Sequence, residues 1–243
     1  LPEEQFQSPL VPNTSGSRLG GVAKRGYSNA QRYVFDAYAN YDRSFGERHQ
    51  LNLTAGTSLE QSRSDNSFIT GEIVTDAKLD QVNNTTNVTV FSGTFSENGL
   101  VSLFGRANYT LDEKYLFGLS FRRDGASVFG PRNRYGFFPG ASLAWVASRE
   151  GFLADNGTIS QLKFRTSLGR TGNQAIGNYP YQSTFCTANY GDEAGYYPCR
   201  LGNPELSWEK TTQVDLGFDL ELWNGRAGLS FDWYHKKTTD LLL

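Results

Sequence analysis

The sequence predicts an all-β chain: about eight antiparallel strands in up-and-down order, of the kind that wall a transmembrane β-barrel. Three observations predict it. Apolar and polar residues alternate with a period of two over long stretches. Most of those stretches run to about ten residues, the length a tilted strand needs to cross a bilayer, whereas globular strands centre near five or six. The connections between them alternate strictly between short and long.

The first strand places Tyr33, Phe35, Ala37, Ala39 and Tyr41 on one face and Val34, Asp36, Tyr38 and Asn40 on the other. The second alternates Leu51, Leu53, Ala55, Thr57 and Leu59 with Asn52, Thr54, Gly56 and Ser58. Val101–Leu111 sets Leu103, Ala107 and Tyr109 against Ser102, Arg106 and Asn108. Tyr115, Phe117, Leu119 and Phe121 oppose Gly118, Ser120 and Arg122; Pro139, Ala141, Leu143 and Trp145 oppose Gly140, Ser142 and Ala144. Leu162, Phe164, Thr166 and Leu168 oppose Lys163, Arg165, Ser167 and Gly169.

The clearest case is Trp208–Leu222. One face reads Trp208, Lys210, Thr212, Val214, Leu216, Phe218, Leu220 and Leu222; the other reads Glu209, Thr211, Gln213, Asp215, Gly217, Asp219 and Glu221. Successive strand side chains point to opposite faces, so this strand is oily on one side and polar on the other. Asn224-Gly225 accepts the positive φ angles of a type I′ hairpin turn. The eighth strand, Arg226–Lys236, follows with Ala227, Leu229, Phe231 and Trp233 on its apolar face.

Asp42–His49, Asp112–Lys114, Ser148–Gln161 and Asn224–Gly225 are the short or moderate connections; Glu60–Gly99, Asp124–Tyr135, Gly172–Ser207 and the end after Lys236 are long or open. Outer-membrane barrels have short periplasmic turns and longer extracellular loops. Residues 1–30, polar and turn-rich at their start, read as an extracellular loop. Tyr33, Tyr41, Tyr109, Tyr115, Trp145, Trp208, Trp223 and Trp233 lie near predicted strand ends, where interfacial aromatic girdles form.

Composition narrows the classes. The 243 residues carry a formal charge of −2 with Lys and Arg dispersed, which leaves no electrostatic footprint for nucleic acid. Aromatics reach 14% and Gly numbers 26, fitting sheets joined by tight turns. No run approaches the roughly 18 apolar residues of a spanning helix. The absence of Met and of a signal peptide predicts a chain cut from a longer precursor.

Two other architectures stay open on these grounds. A soluble carbohydrate-binding β-sandwich or jelly roll would bury the same apolar rows against a second sheet. An enzyme on a β scaffold would need a catalytic constellation, and none appears: there is no nucleophile elbow, no phosphate-cradling Gly loop and no carboxylate pair in a defined cleft. No cofactor is implied. His49 and His235 are the only histidines, with no His–carboxylate spacing that suggests a metal. Glycosylation sequons such as Asn13, Asn52 and Asn108 occur, two of them inside predicted strands, where modification is implausible.

Several longer strings narrow the choice further. LVSLFGRANYTLDEKYLFGLSFRRDGAS begins at Leu100; FG-PRNRYGFFPGASLAW, LKFRTSLGRTGNQAIGNYPY, NPELSWEKTTQVDLGFDLEL and GRAGLSFDWYHKKTTDLLL follow. In this order and spacing they resemble the C-terminal half of SusC/RagA-type TonB-dependent outer-membrane transporters. The resemblance covers Tyr33–Leu243 and is most specific at Arg122–Gly125, Asn133–Pro139, Gly169–Gln174 and Asn203–Glu209. It implies one partial barrel domain over residues 1–243, part of a 22-stranded barrel whose lumen holds a plug domain. It also implies an outer-membrane location in contact with lipid, and import of bulky nutrients, glycan or peptide. Further implied partners are a SusD-like surface lipoprotein acting as a lid and TonB, which supplies energy through the plug. The plug, the TonB-contacting segment and the closing strands are expected outside these residues, so transport by this piece alone is not expected.

Glu209, Asp215, Asp219 and Glu221 form an acidic row on the face that would line the lumen. Arg106, Arg122, Lys163 and Arg165 share that face and are candidates for cross-strand pairing with it. A polar wall in contact with substrate or plug is one role; plain solvation of a water-filled interior is the more ordinary one. Arg122–Gly125 and Asn133–Pro139 flank a loop and read mainly as strand-cap and turn chemistry, as does Thr171–Gln174. Cys186 and Cys199 share one irregular stretch, where a disulfide would close a surface loop in an oxidising compartment.

Overall fold

The structure is a computed structural model; it describes residues 2–8, 10, 20–74, 76, 78, 80–153, 156–191 and 193–242. Parts of the predicted N-terminal loop (1, 9 and 11–19, including Asn13) and residues 75, 77, 79, 154, 155, 192 and 243 lie outside the described residues.

Among the described residues there are eleven strands and no α-helix: β1 Pro2–Gln7, β2 Val22–Phe45, β3 His49–Val74, β4 Thr85–Leu111, β5 Tyr115–Ala126, β6 Tyr135–Val146, β7 Ile159–Asn173, β8 Thr184–Tyr190, β9 Glu193–Arg200, β10 Glu209–Leu222 and β11 Ala227–Thr239. Nine form one sheet in the order β1-β2-β3-β4-β5-β6-β7-β10-β11, and β8 and β9 form a separate hairpin. Every register given is antiparallel, as up-and-down connectivity requires. All eight predicted strands are present.

The chain divides into two units. One comprises residues 34–60 and 99–243 and contains the alternating strands. Its register aligns the apolar positions in transverse rows. Tyr109 opposes Phe117, Phe117 opposes Leu143, Leu143 opposes Thr166, Thr166 opposes Leu216 and Leu216 opposes Trp233. These rows stay uncovered: Leu119 is 63% exposed, Phe231 53% and Leu216 49%. A sandwich would have buried them against a second sheet. No such sheet exists among the described residues, so the soluble-sandwich alternative fails on this face. An uncovered apolar face on a long-stranded sheet is what a hydrocarbon solvent permits.

The other unit comprises residues 1–33 and 61–98. Here the predicted loops are corrected. Pro2–Gln7 pairs with Val22–Tyr27, although the N-terminal stretch reads as loop. Glu60–Gly99 also reads as loop, yet β3 continues to Val74 and β4 begins at Thr85, giving strands of 26 and 27 residues. Both segments are rich in Ser, Thr and Asn and bond through side chains, as Ser28 Oγ does to Asn66 Oδ1 at 2.6 Å. They lack the one-sided apolar pattern that a bilayer imposes, so period two was too weak to mark them.

Gly172–Ser207 likewise contains the β8–β9 hairpin. The last hairpin turn is wider than a two-residue type I′ turn. The ladder ends at Leu222 opposite Ala227, and Trp223 joins Asn224 and Gly225 at positive φ (52°, 56° and 81°). Tyr33 falls inside β2 rather than near its end.

Candidate functional site

The polar face of β4–β11 is built by the same alternation that exposes the apolar one. Arg106 opposes Ser120 and Ser120 opposes Gly140; Gly140 opposes Gly169, which opposes Gln213. One residue pair along, Asn108, Gly118, Ser142, Ser167 and Asp215 align in the same way. Small side chains in the middle strands leave a hollow of about 490 Å³, lined by Arg106, Ser120, Ser142, Gly169, Thr211 and Gln213 among others.

The predicted polar residues divide by partner. Arg165 joins three strands. Its Nε and Nη2 donate to the two Asp219 oxygens at 3.0 and 3.1 Å, and Nη2 also donates to Asp232 Oδ2 at 3.1 Å. Gly217 makes this reach possible. It stands opposite both Arg165 and Asp232, and a Cβ there would lie 2.6 Å from Asp232 Oδ1 and 3.2 Å from Arg165 Cζ. Ser230 donates to Asp219, and Ser167 and Gln213 to Asp215.

Arg122 does not meet the acidic row. Its Nε lies 2.8 and 2.9 Å from the oxygens of buried Asp124, and its Nη2 donates to buried Ser102 at 2.7 Å. Glu209 accepts from Asn173 Nδ2 at 3.2 Å. Lys163 stands opposite Asp219, and Glu221 opposite Gln161 and Gly228. Arg165 is thus the one predicted cation that forms an ion pair with a predicted carboxylate. Asp232 escaped the sequence reading because its role depends on register, although period two places it on the polar face.

At the long-connection end, three of the strings that carry the resemblance, Asn133–Pro139, Gly169–Gln174 and Asn203–Glu209, meet at one small core. Ala126, Val128, Phe129, Phe138, Leu206 and Trp208 are buried together. Trp208 packs at 5.3 Å from both Phe129 and Phe138, and its Nε1 donates to the Arg134 carbonyl at 2.9 Å. Phe138 lies so close to Gly136 and Gly172 that a Cβ at either would fall 2.4 or 2.1 Å from its ring. Trp208 is therefore not an interfacial girdle residue: β10 starts one residue later, and the indole is 4% exposed. The Asn133–Pro139, Gly169–Gln174 and Asn203–Glu209 strings act together as packing, whereas Arg122–Gly125 holds the Arg122–Asp124 pair.

Beyond that core, Cys186 and Cys199 sit on β8 and β9 with bonded sulfurs and Cα atoms 5.5 Å apart, within the range a disulfide spans.

The short-connection end carries a different cluster. Glu150 accepts from Tyr115 Oη at 2.6 Å, Lys114 Nζ at 3.1 Å and Trp145 Nε1 at 3.3 Å. These bonds, the Tyr115 hydroxyl's first, hold the Glu150 carboxyl below the usual carboxylate range. Arg48 does the same to Asp112 through a hydrogen bond of 2.5 Å. Trp145 and Trp223 lie at this end, and Tyr109 Oη bonds His49 Nδ1 at 2.7 Å, so an aromatic and charged rim does form there. Among the described residues no three His, Cys, Asp or Glu side chains form a metal-ligating group.

Comparison with known proteins places this geometry. The family model for the TonB dependent receptor-like β-barrel matches residues 5–243. TonB-dependent receptor P3 of Formosa agariphila is 36% identical over 234 residues, covering 94% of this chain and 23% of the relative. TonB-dependent receptor SusC of Bacteroides thetaiotaomicron is 40% identical over 157 residues, 60% of this chain and 16% of SusC. The RagAB peptide transporter structure superposes with a TM-score of 0.91 at 26% identity, over 99% of this chain and 27% of that one. The chain spans about a quarter of the length of the curated relatives it matches along most of its own. These relatives are receptors and transporters, not enzymes. The apolar rows, the polar face and these matches agree: the chain belongs to the TonB-dependent receptor-like β-barrel family of the bacterial outer membrane.

Proposed function

We propose that this chain is part of the barrel wall of a TonB-dependent importer of bulky nutrients, glycan or peptide, working with a SusD-like surface lipoprotein. The observation that carries the reading is the two-sided sheet: an uncovered apolar face backed by a continuous polar face that holds a hollow. Its similarity to SusC and to the RagAB peptide transporter supports import as the activity. In this reading Arg106, Lys163, Arg165, Glu209, Asp215, Asp219 and Glu221 line a water-filled lumen. Arg165 stiffens the wall by tying Asp219 to Asp232, and Asp215 does so separately through Ser167 and Gln213. Arg122 braces the rim, and the Cys186–Cys199 bridge holds an extracellular hairpin. The plug and TonB contacts belong to other parts of the full-length protein.

Deletion of the full-length gene, with and without complementation, tests this on a panel of oligosaccharides and oligopeptides as sole nutrients. The reading expects growth on at least one bulky nutrient to be lost on deletion, restored by complementation and lost again without TonB. Unchanged growth and uptake across the panel would contradict it.

A further inference from the structure

The apolar face is not apolar over its whole height. On β7, β10 and β11 it reads, from the short-connection end, Phe164, Phe218 and Phe231, then Thr166, Leu216 and Trp233, then Leu168, Val214 and His235. The next row is Arg170, Thr212 and Lys237, and the one after it contains Lys210 opposite Thr239. Lys210 is therefore the diagonal neighbour of both Arg170 and Lys237, at the roughly 7–8 Å of diagonal pairs. The three cations are gathered on the face that otherwise meets hydrocarbon. Among the described residues Asp240 is the one carboxylate bonded to them, through Lys210 Nζ at 2.9 Å, so three cations face one anion.

Its height is equally specific. From Leu222 to Thr212, ten residues at about 3.4 Å each and a tilt near 40° span about 25 Å, the height of the apolar band of such barrels. The cluster begins where that band ends, on the side of the long connections, which in outer-membrane barrels is the extracellular side. At that level the neighbouring lipid of the outer leaflet carries phosphate. Arg and Lys together fit phosphate oxygens by forked and point-charge contacts.

We infer that Arg170, Lys210 and Lys237 form an outward-facing site for the phosphate of an outer-leaflet lipid. The inference rests on the outer-membrane placement and not on the cargo, so it stands or falls separately from the proposed import activity.

The test uses the full-length protein in neutral detergent micelles. Phosphorylated lipid A is titrated in and retention is read by native mass spectrometry; the same lipid A after phosphatase treatment and inorganic phosphate serve as parallel arms. At about 1 kcal/mol per basic side chain near an anionic lipid surface, each of Arg170→Gln, Lys210→Gln and Lys237→Gln weakens retention about fivefold, and the triple variant on the order of a hundredfold. Lys236→Gln, one residue away on the polar face, leaves it unchanged, and heat-modifiable gel mobility reports that every variant is folded. Wild-type and folded triple variant retaining phosphorylated lipid A equally would overturn the inference. So would equal retention of the dephosphorylated lipid, or inorganic phosphate competing at concentrations comparable to the lipid.

Discussion

Leu216 sits midway along β10 on the apolar face, opposite Thr166 on one side and Trp233 on the other, and is 49% exposed. If that exposure is to hydrocarbon, Leu216→Arg carries a guanidinium to the bilayer midplane. The expected loss is about 2–4 kcal/mol. The cost should fall with depth. Leu229, three residues into β11 from the turn, is 57% exposed on the same face, and Leu229→Arg costs about 0–1 kcal/mol because the cation reaches the interface. Thr211→Arg is the polar-face control. It adds the same side chain five residues from Leu216 and stays within about 0.5 kcal/mol, as an ordinary water-facing substitution does. The assay is chemical denaturation of the full-length protein in phospholipid vesicles, comparing midpoints at constant slope. An order Leu216 ≫ Leu229 ≥ Thr211 supports the reasoning. Equal costs for Leu216→Arg and Thr211→Arg would refute it, since both faces would then meet the same solvent.

Gly172→Ala places a methyl 2.1 Å from the Phe138 ring and should cost about 1–3 kcal/mol by overpacking; recovery of the denaturation midpoint in Gly172→Ala/Phe138→Leu checks that the clash is the cause. The acid limb of stability follows from Glu150 and Asp112, both held below their usual range. A carboxylate with a lowered folded-state pKa contributes stability that is full above its unfolded value and lost as pH falls through the folded one. Denaturation midpoints between neutral and strongly acidic pH should therefore drop toward acid, and Glu150→Gln should flatten part of that drop.

How much of this was legible follows from what each strand touches. β10 was readable almost to the residue because a bilayer on one side and water on the other impose strict alternation from Val214 to Leu222. The outer stretches of β3 and β4 lack such strict one-sided alternation. Asn66 Nδ2 donates to Ser64 along β3 and to Thr94 across on β4, and polar side chains on both faces look like loop. β1 is short, and among the described residues β8–β9 joins no strand of the larger sheet by a backbone ladder, so neither had a one-sided pattern to reveal it.

The polar face was readable as a set of residues but not as a network. Arg165 reaches Asp219 and Asp232 only because β7, β10 and β11 share one register and Gly217 leaves the space, and register across distant strands is not written in local periodicity. Trp208 shows the converse error. Its parity matches the oily face of β10, yet it precedes the strand, and the loop residues Phe129 and Arg134 capture it.

The central claim is that adjacent residues of one strand face different solvents. Single cysteines at Leu229, Ser230, Phe231, Asp232, Trp233 and Tyr234 of β11 in the membrane-embedded full-length protein measure this directly. Spin labels at 229, 231 and 233 should be relaxed by oxygen dissolved in the bilayer, and those at 230, 232 and 234 by a water-soluble nickel chelate. A uniform response along the six positions, or relaxation of both sets by the chelate, would contradict the account.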